Sequence, residues 1–94
     1  MDIGAVSILG GGAYLVVLEK GAHRIWLYER KPTGKLRLIE KYGGYGPGYG
    51  KFNNPNGVAI VPAGDGPGGY LIYVADSGNR RVVCLRYRAD VGIR

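Results

Sequence analysis

Residues 14–28, "YLVVLEKGAHRIWLY", and residues 71–85, "LIYVADSGNRRVVCL", are two versions of one pattern. At a spacing of 57, Val17 falls on Val74, Gly21 on Gly78 and Arg24 on Arg81. Glu19 likewise falls on Asp76, His23 on Arg80 and Ile25 on Val82. Each version runs apolar, turns at a glycine and runs apolar again, as two strands of a hairpin do. A second pair lies upstream of these. "GAVSIL" (4–9) matches "GVAIVP" (57–62) at a spacing of 53. The change in spacing is assigned to the turns that follow, "GGG" (10–12) and "AGDGPGG" (63–69). Self-similarity at this period indicates a repeat architecture.

The chain has 94 residues, enough for one domain, and its hydrophobic share of 46% is that of a folded chain. No segment carries a helical period, so the fold class is all-β. In the first copy, strands are expected near Ala5–Leu9, Tyr14–Glu19 and Arg24–Glu29. "RKPTGK" then turns into a fourth, Lys35–Tyr42, where Lys35, Arg37 and Lys41 dress an exposed edge. Runs such as "YLVVL" and "YLIYVA" lack alternation, which predicts sheets covered on both faces. A four-stranded antiparallel sheet covered on both faces is a propeller blade. Residues 1–94 then form one propeller segment: blade one at about 4–45, a crossing at about 43–56 and blade two at about 57–94. "ADVGIR" at the end matches "PTGKLR" (32–37). Blade two should therefore have three strands, or a stub of a fourth at Gly92–Arg94, lacking most of its outer strand.

"KYGGYGPGYGKFNNPNG" (41–57) joins the copies. Its alternating Gly44, Gly46, Gly48 and Gly50 do not give G-x-G-x-x-G. Gly50-Lys51 is followed by Phe52, and Tyr45 stands where a P-loop needs its first glycine, so no phosphate loop is present. The stretch from Phe52 onward resembles an NHL repeat. The matching residues are Phe52, Pro55, Gly57, Val58, Ala59, Tyr73, Val74, Ala75, Asp76, Ser77, Gly78, Asn79, Arg81 and Val82. The first copy is degenerate, with Glu19 for the Asp and Ala22 for the Asn. The resemblance implies antiparallel propeller blades, and it reads 41–57 as the crossing from the outer strand of one blade to the inner strand of the next. Phe52 and the tyrosines would fill the space between blades. In "DSGN" (76–79), Asp76 is expected to bond the backbone ahead, Gly78 and Asn79 to take left-handed φ, and Arg81 to reach back to Asp76 or to the neighbouring blade.

The net charge of +6 and a pI near 9.7 allow nucleic acid or an acidic partner, but the 13 basic residues are scattered. One Cys and one His leave no disulfide framework and no zinc set, so no metal or cofactor is expected. The "DSGN" loop has too few carboxylates for calcium. His23 lacks a partner nucleophile, and Ser7 and Ser77 lack an elbow context, so no catalytic residue is assigned. Cys84 and Trp26 read as core residues. Residues 3–18 are uncharged but split by glycines, too short to span a bilayer, and preceded only by Asp2. The location is read as cytoplasmic, with no membrane contact.

NHL-like propellers present a loop face to protein or RNA. The resemblance places Lys20, His23, Arg24, Tyr45, Tyr49, Lys51, Asn53, Arg80 and Arg81 on that face. Phe52, Pro55, Gly57, Asp76, Gly78, Asn79 and Arg81 serve as structural residues of the repeat. The leading reading is a non-catalytic module that binds a protein or single-stranded nucleic acid. The alternatives are a lactonase- or lyase-like enzyme and a purely structural self-assembling unit. Two blades cannot close a ring, and open faces carrying Val16, Leu18, Ile25, Leu27, Ile72, Val74, Val82 and Cys84 would meet water. Three chains would close a six-bladed ring as a C3 homotrimer. A segment of a longer propeller chain is the alternative.

Overall fold

The fold is described from a computed structural model, over residues 2–64, 66 and 68–94. Asp65 and Pro67 of the 63–69 turn lie outside the described residues. The strands are β1 (Ile3–Ile8), β2 (Tyr14–Glu19), β3 (Arg24–Arg30), β4 (Leu36–Gly43), β5 (Gly57–Pro62), β6 (Gly69–Asp76), β7 (Arg81–Arg88) and β8 (Gly92–Ile93). They form two four-stranded antiparallel sheets, β1-β2-β3-β4 and β5-β6-β7-β8. The fold class is all-β. The second sheet ends in the expected stub, the two-residue β8.

The registers correct one reading of the repeat. Val6 pairs with Val17, and Val58 pairs with Val74. Val17 and Val74 stand 57 apart, so Val6 is equivalent to Val58, a spacing of 52 rather than 53. A slip of one residue turns every side chain of a strand to the other face. The 53-residue alignment would set Ser7 on Ile60. In the structure these two meet across the space between the sheets, where the Ile60 N–H donates to Ser7 Oγ at 3.1 Å.

The sheets stack face to face. Val16, Leu18, Ile25 and Leu27 of the first sheet join Ile60, Ile72, Val74 and Leu85 of the second in one buried cluster. Phe52, from the crossing, is fully buried in that cluster. A Cβ on Gly43, whose φ is +117°, would lie 2.7 Å from the Phe52 ring. Glycine is thus required there both for φ and for the close approach of the ring.

Two assignments made from strand hydropathy change. Cys84 is exposed rather than core; like Val82, which is 69% exposed, it stands open to water as expected for the faces of an unclosed ring. Both lie on the face of the second sheet that points away from the first. Trp26 is half-buried on the opposite outer face, flanked by Arg24 and Lys41 at 5.2 and 5.0 Å from its ring. Each sheet has one covered and one open face, so Val16, Leu18, Ile25, Leu27, Ile72 and Val74 are interior rather than open. The apolar runs are uniform because hydropathy does not record which of two apolar faces has a neighbour.

Candidate functional site

Three segments converge at one end of the stacked sheets: the β2–β3 turn, the crossing from β4 to β5, and the β6–β7 turn. The Gly44 N–H donates to the His23 carbonyl at 2.8 Å, and the Asn54 N–H donates to His23 Nδ1 at 3.0 Å. The His23 ring stands edge-on to Tyr45, 5.1 Å between centroids. Between crossing and β6–β7 turn, the Gly78 N–H donates to the Asn53 carbonyl at 2.7 Å, and Ser77 Oγ to Asn56 Oδ1 at 2.7 Å. Tyr45 and Phe52 also form a parallel bridge that folds the Gly/Tyr stretch back on itself.

Asp76 holds this end together. Its carboxylate is fully buried and accepts the Asn53 N–H at 2.7 Å, Asn79 Nδ2 at 2.8 Å and Arg81 Nε at 2.9 Å. Burial pushes its pKa up, but the three donors and the Arg81 charge outweigh burial, and the carboxyl is held below its ordinary value. Arg81 continues to the carbonyls of Gly48 and Lys51, both at 2.9 Å, and Asn79 to that of Gly46 at 2.9 Å. Arg81 therefore reaches both back to Asp76 and across to the crossing. The other expectations for "DSGN" are corrected. Asp76 bonds a backbone group behind it in the chain, not ahead. Ser77–Asn79 is a single 3₁₀ turn, and the left-handed residue is Arg80, at φ +54°. Gly78 serves close approach instead: a Cβ there would lie 2.5 Å from the Asn53 carbonyl oxygen.

The first sheet repeats the arrangement with different partners. Glu19 accepts Arg24 Nε and Trp26 Nε1, each at 2.7 Å. The Arg24 bond, then that of Trp26, holds the Glu19 carboxyl below its ordinary value. His23 takes the left-handed position, at φ +54°, that Arg80 takes in the second.

The nine residues assigned to a loop face divide in two. Arg24 and Arg81 are committed to the internal network by their side chains and Asn53 by its backbone N–H and carbonyl, and His23 spends Nδ1 and one ring edge on the crossing. Lys20, Lys51 and Arg80 are exposed, with no ion-pair partner among the described residues. Tyr45 and Tyr49 are 69% and 74% exposed. The structural set behaves as a unit: Phe52 and Pro55 are buried, and Gly57 opens β5. Asn79 and Arg81 meet on Asp76.

Sequence reasoning missed a cluster at the opposite end. Tyr14 lies 5.0 Å from Tyr70 and 5.8 Å from Tyr87 between ring centroids, and burial raises the pKa of Tyr14 and Tyr87. Tyrosines at the ends of three strands were the available signal. Among the described residues no group of three or more His, Cys, Asp or Glu is placed to hold a metal, and no helix is long and apolar enough to cross a membrane. No protein-family model matches the chain, and no curated protein matches its sequence.

Proposed function

We propose that the chain is two consecutive NHL-like propeller blades, acting as a non-catalytic module that takes single-stranded nucleic acid on its loop end. The observation that carries this reading is the pairing of two mostly exposed tyrosines, Tyr45 and Tyr49, with three unpaired cations, Lys20, Lys51 and Arg80. Cations track a phosphate backbone, and aromatic faces stack on bases of any sequence. The non-catalytic part is supported by the commitment of Glu19, His23 and Asp76 to internal hydrogen bonds. In this reading three chains complete a six-bladed ring.

Binding of a fluorescent single-stranded oligonucleotide, measured at several salt concentrations, tests the proposal. Three phosphate contacts predict a slope of log K against log salt of about −2. Tyr45→Ala and Tyr49→Ala should each weaken binding by about 1–3 kcal/mol. No binding at low salt, or binding indifferent to salt, overturns the proposal. Loss with the Lys51→Ala change but not with the tyrosine changes would assign the face to an acidic protein instead.

A further inference from the structure

The two open sheet faces carry the same positions as the buried interface between the sheets. On the open face of the first sheet, Ile8, Leu15 and Val17 stand where the second sheet has Ile60, Ile72 and Val74. These last three are buried against the first sheet, whereas Ile8 is 66% exposed and Leu15 half-buried; Val17 is 7% exposed. On the open face of the second sheet, Val61, Val82 and Cys84 stand where the first has Leu9, Ile25 and Leu27. Again the equivalents are buried, and Val82 is 69% exposed. The chain therefore displays both halves of an interface that it already forms once inside itself.

The side-chain sizes differ in a compensating way. The open face of the first sheet is enlarged, with Trp26 in the place of Val83 and Tyr28 in that of Leu85. The open face of the second is trimmed, with Val82 for Ile25, Ala75 for Leu18 and Cys84 for Leu27. Tyr73 for Val16 and Arg86 for Glu29 are the enlargements there. A face with larger side chains fits one with smaller side chains at normal packing density, whereas two enlarged faces would overpack and two trimmed ones would leave voids. Four strands about 4.8 Å apart and six residues at about 3.4 Å make each face roughly 400 Å² in plan. Within that area the exposed apolar side chains, Val6 and Ile8 on the first sheet and Val61, Tyr73 and Val82 on the second, stand among charged ones. A contiguous apolar patch rimmed by polar residues marks an interaction site.

We infer that the occupant of each open face is a second copy of this chain, the second sheet of one copy docking head-to-tail on the first sheet of the next. The contact itself follows from the registers; only the closure of three copies into a six-bladed ring rests on the propeller reading above. A head-to-tail contact uses different surfaces on its two sides and repeats from copy to copy.

Light scattering on the full chain reads the outcome. The wild type should have the mass of several 10.1 kDa chains. Ile8→Glu and Val82→Glu each place a charge on one open face, at positions exposed within the chain, and each variant alone should run as a single chain. Mixed together they should form a dimer, because Ile8→Glu keeps an intact second-sheet face and Val82→Glu an intact first-sheet face. That recovery also requires both variants to be folded. A wild type with the mass of one chain, a variant that stays oligomeric on its own, or a mixture that stays monomeric overturns the inference. A wild-type mass of three chains supports both contact and ring. Another multiple with the same complementation keeps the contact and overturns the six-bladed ring.

Discussion

Replacing Asp76 by Asn tests the account of the loop end most directly. The carboxylate accepts from the Asn53 backbone, the Asn79 amide and the Arg81 guanidinium. An amide retains one acceptor and presents an NH₂ to donors that it cannot satisfy. Removing one partner of a buried pair costs about 3–5 kcal/mol. The Arg81 side chain is 34% exposed, so water compensates part of that loss and a figure of about 2–3 kcal/mol is appropriate. For a domain of this size the melting temperature should fall by roughly 8–24 °C. Urea unfolding followed by Trp26 fluorescence gives the number, with both proteins at one concentration because association couples to apparent stability.

The pH dependence has a definite sign. The folded Asp76 pKa lies below its unfolded value of about 3.9. Its contribution is therefore complete above that value and is lost as pH falls through the folded pKa. The stability gap between wild type and Asp76→Asn should be constant from pH 7 to about pH 5 and shrink in more acid solution. A gap below about 0.5 kcal/mol at neutral pH, within the range of an ordinary surface change, would refute the reasoning. So would a gap that does not change with acid.

Two further changes probe the same end. Phe52→Ala empties the fully buried site between the sheets and should cost about 3–5 kcal/mol in the same urea experiment. Arg80→Gly relieves a left-handed residue, worth about 1–2 kcal/mol, against the extra chain entropy that glycine loses on folding, about 0.5–1 kcal/mol. Net stability should rise by up to about 1.5 kcal/mol, while the salt slope of oligonucleotide binding falls because one cation is gone.

The hairpin and the third strand were legible because their turns are built from glycine and their strands are apolar. Tyr14–Glu19 has those bounds in the structure. The stub at Gly92–Ile93 was legible because "ADVGIR" keeps the spacing of "PTGKLR". The register of the first strand was not. At 53 "GAVSIL" and "GVAIVP" share only the leading glycine, whereas at the true 52 Val6 meets Val58 and Ile8 meets Ile60. The glycine drew the alignment one residue off, and hydropathy, which does not tell one face of an apolar strand from the other, did not correct it. The exposure of Cys84 and the half-burial of Trp26 were hidden for the same reason. On the loop end, position was legible but availability was not. Arg24 and Arg81 have the charge of a binding residue, yet their partners, Glu19 and Asp76, each five residues earlier across a turn, hold them in place.

Those two acids show how the copies came to differ. Both stand at the end of the second strand of their sheet, and both accept the arginine that opens the third. Over Asp76 the crossing folds down, and the shorter side chain leaves room for the Asn53 N–H to reach the carboxylate directly. Glu19 lies on the open face, where the partner is the indole N–H of Trp26, and the extra methylene carries the carboxylate out to it. Trp26 in turn has Arg24 and Lys41 against its ring, which closes a local cluster on that face. The Asp-to-Glu difference thus follows from what each face receives: a backbone segment of the same chain in the second copy, and in the first a surface presented outward. The repeat has thus diverged with its surroundings: the covered copy is matched to its own crossing, and the first copy carries the larger Trp26 and Tyr28 on its outward face.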